Sequence, residues 1–121
     1  MGGAIYSYAS KRATDKDFKV TVVDSQFTGN TAYNGGAIAN NGNLDVSGAT
    51  FKGNTASNWG GAIVNWQDMT VKGSTFEDNV AGVVGGAIGS DSTSNAVNIA
   101  SSVFKNNHSV YDGGALAVTR D

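Results

Sequence analysis

The stretch Phe51-Lys52-Gly53-Asn54-Thr55-Ala56-Ser57-Asn58-Trp59-Gly60-Gly61-Ala62-Ile63 contains two short motifs, Phe-x-x-Asn and Gly-Gly-Ala-Ile, and both recur along the chain. Gly-Gly-Ala-Ile starts at Gly2, Gly35, Gly60 and Gly85 and, with Leu116 in the last place, at Gly113, so that successive starts differ by 33, 25, 25 and 28 residues. Phe-x-x-Asn falls once between each pair: Phe27 with Asn30, Phe51 with Asn54, Phe76 with Asn79, and Phe104 with Asn107. A third column holds apolar pairs seven and five residues before each Phe: Val20 and Val22, Leu44 and Val46, Met69 and Val71, Val97 and Ile99. Alternation with a period of two is the signature of a strand. A helical repeat is excluded, because each unit carries a Gly-Gly pair and every helical Gly costs about 1 kcal/mol.

Three motifs held in one register over a repeat of about 25 residues predict a β-solenoid. The expected fold is all-β, a right-handed parallel β-helix of four coils and a final strand, with coils starting near residues 2, 35, 60, 85 and 113. Residues 1–121 are expected to form a single segment excised from a longer protein. Stacked coils bring equivalent residues into columns about 4.8 Å apart. Phe27, Phe51, Phe76 and Phe104 are then expected to form an interior aromatic ladder, each burial contributing about 2 to 3 kcal/mol. Asn30, Asn54, Asn79 and Asn107 are expected to form an amide ladder at a bend, where Asn tolerates left-handed backbone. The pairs Gly35-Gly36, Gly60-Gly61, Gly85-Gly86 and Gly113-Gly114 supply positive φ at the corner before the first strand. With Ile pointing inward, Tyr6, Ala39, Val64, Gly89 and Ala117 are expected to make a flat, faintly apolar outer column.

Composition narrows the function. Seventeen glycines and a hydrophobic fraction of 40% leave few large side chains for a spherical core, while 15% charged residues are too few for a disordered polyelectrolyte. A net charge of -2 gives no basis for binding nucleic acid or an anionic membrane. There is no cysteine and only one histidine, His108, so disulfides, thiolate metal sites and a histidine metal cluster are excluded, and no cofactor is expected. No apolar run reaches the ~20 residues of a membrane helix, so this segment is not expected to insert directly into a membrane. No signal peptide is visible in the sequence, and proline is absent, which suits backbone N–H groups committed to sheet ladders.

The first coil carries eight extra residues and the fourth carries three, and both insertions fall between the Gly-Gly-Ala strand and the next apolar strand. They are expected to project from one corner, where insertions are tolerated with or without a function. Lys11, Arg12 and Lys16 in the first insertion are candidate binding residues. Trp59 and Trp66 flank the third Gly-Gly-Ala strand at columns the repeat does not demand. They are candidates for stacking on sugars or docking a partner, against the simpler role of packing on a neighbouring corner.

Five Gly-Gly-Ala-Ile-type and four Phe-x-x-Asn motifs alternating over residues 2 to 116 resemble the chlamydial polymorphic outer membrane protein repeats of autotransporter passengers and adhesin-like β-helix proteins. The resemblance implies a right-handed parallel β-helix, secreted or displayed at the cell surface and attached to the outer membrane in the full-length parent. It also implies adhesion to host cells or other surfaces, through a protein or glycan receptor, with Gly2 to Ile5, its counterparts and the Phe-x-x-Asn segments tied to that role. Leu116 in the closing strand departs from the Gly-Gly-Ala-Ile pattern, and residues 1–121 are not expected to include the middle domain and membrane β-barrel of the full family architecture.

Two other classes compete. A β-helical polysaccharide lyase or hydrolase would need paired carboxylates about 5 to 10 Å apart. Here Glu77 and Asp78 are consecutive, and Asp45, Asp68 and Asp91 fall in unrelated columns, so no enzyme is expected. Calcium-binding nonapeptides would show Gly-Gly-x-Gly-x-Asp, which is absent, and the threonines are too scattered for an ice-binding face. The second alternative is a head-to-tail filament, since neither Met1-Gly2 nor Thr119-Arg120-Asp121 has the look of a cap over the strand edges.

Overall fold

In the computed structural model, which describes residues 2–8, 19–91 and 97–119, the apolar pairs and glycine corners become short strands wound into successive coils. The first coil carries β1 (Ile5–Tyr8), β2 (Lys19–Val23), β3 (Gln26–Thr28) and β4 (Thr31–Ala32). The second repeats them as β5 (Ile38–Asn41), β6 (Asn43–Ser47), β7 (Thr50–Lys52) and β8 (Thr55–Ala56). The third has β9 (Ile63–Asn65), β10 (Met69–Lys72), β11 (Thr75–Glu77) and β12 (Val80–Ala81). The fourth has β13 (Ile88–Asp91), β14 (Val97–Ala100), β15 (Val103–Lys105) and β16 (His108–Ser109), and β17 (Leu116–Thr119) opens a fifth. Every pairing between coils is parallel.

Four parallel sheets therefore run up the stack, in the orders β1-β5-β9-β13-β17, β2-β6-β10-β14, β3-β7-β11-β15 and β4-β8-β12-β16. The register follows the motifs: Ile38 pairs Ile63, Leu44 pairs Met69, Phe51 pairs Phe76 and Ala56 pairs Ala81. This is a β-solenoid, and each complete coil uses four short strands. The Phe sits on a strand of its own, cut off from the apolar pair by a left-handed corner at Asp24, Gly48, Gly73 or Ser101.

The second bend differs from the expectation. The ladder asparagines do not adopt positive φ; the residue before each does, at Gly29, Gly53, Asp78 and Asn106. A left-handed residue there turns the chain, which leaves the Asn free to point inward and bond along the stack.

The core is a column of small cross-sections. Ile38, Leu44, Val46, Ala49 and Phe51 fill the second coil and Ile63, Met69, Val71 and Phe76 the third, all almost fully buried. Both Ala37 and Ile38 belong to this core, as do Ala62 with Ile63 and Ala87 with Ile88. The expected flat outer column is overturned: Ala39, Val64 and Gly89 are buried and Ala117 nearly so, and only Tyr6 stands out, at 46% exposure. The left-handed glycine doubles the chain back over this face, and a Cβ added at Gly35 would lie 2.9 Å from Val64 Cγ1. The pair thus does two jobs. The first glycine has φ near +60 to +70° (63°, 67°, 71° and 64° at Gly35, Gly60, Gly85 and Gly113), while the second is pressed against the next coil. A Cβ on Gly61 would fall onto the carbonyl oxygen of Gly86.

Candidate functional site

The motif residues are spent on the stack. The rings of Phe27, Phe51, Phe76 and Phe104 lie nearly parallel, with centroids 4.7 to 4.8 Å apart. That distance is the coil spacing and exceeds ring contact at about 3.5 Å, so the rings are slipped past one another, as their quadrupoles favour. Beside them Asn30, Asn54, Asn79 and Asn107 are chained. Each Nδ2 of the first three donates to the Oδ1 of the next Asn, at 3.1, 3.0 and 2.9 Å. The same acceptor oxygens also take a backbone N–H from Asn30, Asn54 and Asn79. A second donation runs back to the carbonyl of the Phe one coil below, from Asn54 to Phe27, Asn79 to Phe51 and Asn107 to Phe76. Nothing in these ladders faces a ligand.

A further polar column was not recognised in the sequence. Asn40 Nδ2 donates to Asn65 Oδ1 at 2.7 Å, and Asn65 Nδ2 donates to Ser90 Oγ at 3.1 Å, all three residues being fully buried. Each Asn also bonds locally round the corner, Asn40 with Gly42 and Asn65 with Gln67. The signal was present two residues after each Ile, but the column reads Ser7, Asn40, Asn65, Ser90 and so lacks an invariant residue.

Of the candidate binding residues, Lys11, Arg12 and Lys16 lie outside the described residues. Both insertions fall where a strand of the first sheet gives way to the second, between β1 and β2 and between β13 and β14. Trp59 and Trp66 are both partly buried but have different settings. Trp59 joins a parallel bridge with Val84. Trp66 lines a cleft of about 460 Å³ together with Tyr6, Tyr33, Asn34 and Asn41.

A length difference shapes this cleft. The return from Asn30 to Gly35 is one residue shorter than those from Asn54 to Gly60 and from Asn79 to Gly85. The side chain of Asn34 substitutes for the missing residue: its Oδ1 accepts the Trp59 N–H at 3.2 Å and Asn58 Nδ2 at 2.9 Å. Asn41 Oδ1 is likewise tied up by Gln67 Nε2 at 3.3 Å. Tyr6 and Tyr33 are 46% and 64% exposed. Tyr33 and Asn34 sit in a variable return and Asn41 closes β5, outside every motif, while Tyr6 was expected only as a member of the outer column.

Two acidic residues line a second, smaller place. Asp45 and Asp68 occupy different columns, as read from the sequence, but both line a pocket of about 260 Å³ with Lys19, Thr70 and Asn98. Asp45 is paired with Lys19 at 3.0 Å, with both side chains largely exposed, which makes the ion pair worth little. No group of three or more metal-ligating side chains is found among the described residues. No helix of the described residues is long and apolar enough to cross a membrane.

The family model of the Chlamydia polymorphic membrane protein repeat matches residues 24–41, 48–65 and 73–91. Each match opens on the left-handed corner before the Phe strand and closes at the end of the Gly-Gly-Ala strand. It therefore contains one rung of each buried ladder and omits the strands of the second sheet. Comparison with curated proteins and with solved structures gives no match.

Proposed function

The chain carries three Chlamydia polymorphic membrane protein repeats, and from that premise we propose that it is a non-catalytic, surface-displayed β-helix segment that mediates attachment to cells or surfaces. The repeat match carries this reading, since it ties the coils to a family of membrane proteins. The structure supports it in a negative way: Phe-x-x-Asn and Gly-Gly-Ala side chains are consumed by packing, so they build a stalk and recognition falls to the side chains around it. A solenoid suits that task, because each coil contacts only its neighbours and extends a long surface.

The test is direct. Fluorescently labelled chain is incubated with cultured epithelial cells and with immobilised extracellular-matrix proteins, beside a variant lacking Ala9 to Asp17. Saturable binding to either is the expected result, and its loss in the variant would assign it to the charged insertion. An absence of saturable binding to all of them would overturn the attachment reading.

A further inference from the structure

We infer that the cleft lined by Tyr6, Tyr33, Asn34, Asn41 and Trp66 is a binding site for a neutral saccharide. The inference rests on the attachment reading and names the chemistry through which attachment would occur. Three of the five lining residues are aromatic, two are amides and none carries a charge. Aromatic faces present a flat apolar surface with a polar rim, which matches the C–H face of a pyranose ring. The hydroxyls at the edge of such a ring need donors and acceptors placed beside that surface, and a site that supplies them discriminates strongly against ligands lacking the partner.

The amides are oriented for this before any ligand arrives. Asn34 Oδ1 is held by Asn58 and by the Trp59 backbone, and Asn41 Oδ1 is held by Gln67. With the oxygens committed, the Nδ2 groups of Asn34 and Asn41 are left without a partner among the described residues. Fixed N–H donors flanking aromatic rings donate to sugar hydroxyl oxygens at little entropic cost. Among the described residues the lining offers an anionic glycan no counter-charge, which favours neutral sugars over sialylated and sulfated ones. The shortened return at Asn30–Gly35 is what brings Tyr33 and Asn34 to this place, and the longer return at Asn54–Gly60 puts Trp59 into a backbone bridge instead.

The experiment applies the whole chain to a printed array of neutral, sialylated and sulfated oligosaccharides and measures the best neutral binder by saturation-transfer NMR. Tyr33→Ala, Tyr33→Phe and Tyr111→Ala are run in parallel, all at exposed positions, with circular dichroism to confirm folding. The expected result is binding of neutral glycans, at least tenfold weaker in Tyr33→Ala, kept in Tyr33→Phe and unchanged in Tyr111→Ala. A blank array, binding of anionic glycans alone, or binding indifferent to Tyr33→Ala would overturn the site. Cell binding that persists with a blank array overturns the saccharide site and leaves attachment standing, through a protein receptor. Sugar binding without cell or matrix binding does the reverse.

Discussion

At the residue scale, the two glycines of each pair are needed for different reasons, and so are glycines elsewhere. Gly53 has φ of +65° with nothing within 4 Å of an added Cβ, so its requirement is conformational only. Gly61 has no positive φ to defend, but its Cβ would meet the backbone of Gly86 in the next coil and that of Val80. Gly53→Ala is therefore expected to cost about 1 to 2 kcal/mol, the penalty of a left-handed L-residue. Gly61→Ala forces two coils apart and is expected to cost at least about 3 kcal/mol, in the range of disruptive core substitutions. Urea denaturation of the two variants checks this, and equal losses would mean that the coils can yield at the corner. Asp78 and Asn106 hold the same left-handed corner as Gly53, which shows that this position asks only for a tolerant backbone.

At the element scale, strand register was legible in the sequence because each coil repeats its apolar pair, its Phe and its Gly-Gly at nearly constant offset. Parallel stacking turns such offsets directly into neighbours. Where a column is chemically mixed, as in Ser7, Asn40, Asn65 and Ser90, the period is present but no single residue announces it. The outer column at Ala39 and Val64 was misread for another reason: strand alternation says which way a side chain points, but not that the Gly35 corner folds over it. The amide ladders permit a sharp prediction. Removing Asn79 leaves the Asn54 N–H, the Asn54 amide and the Phe51 carbonyl without their partner in a buried setting. Asn79→Ala is expected to cost about 3 to 5 kcal/mol, since each stranded polar group costs about 1 to 3 kcal/mol and the costs overlap. A thermal melt within 2 °C of the parent, roughly the change produced by a fraction of 1 kcal/mol, would show that water replaces the amide.

At the scale of the whole molecule, stability is a sum over interfaces between coils, so it is greatest where a coil is covered on both sides. Phe51 and Phe76 are fully buried, whereas Phe104 is only partly so and Leu116 and Val118 are 40% and 55% exposed. Native-state hydrogen exchange is expected to protect the amides of β5 to β11 most strongly and those of β14 to β17 least. Uniform protection would indicate that the stack opens only as one unit. The cleft belongs to this scale too, and it was illegible for that reason. It needs Tyr6, Tyr33 and Asn34 from the first coil, Asn41 from the second and Trp66 from the third, and the one-residue difference that aligns them has no meaning until coils are stacked.

The two buried amide ladders also share a direction. In both, the earlier coil donates and the later coil accepts, from Asn30 through Asn107 and from Asn40 through Ser90. Aligned amide dipoles in a poorly polarisable interior strengthen one another, as peptide dipoles do along a helix. The solenoid thus has an electrical axis, and every coil added to it tightens the amide bonds already made below.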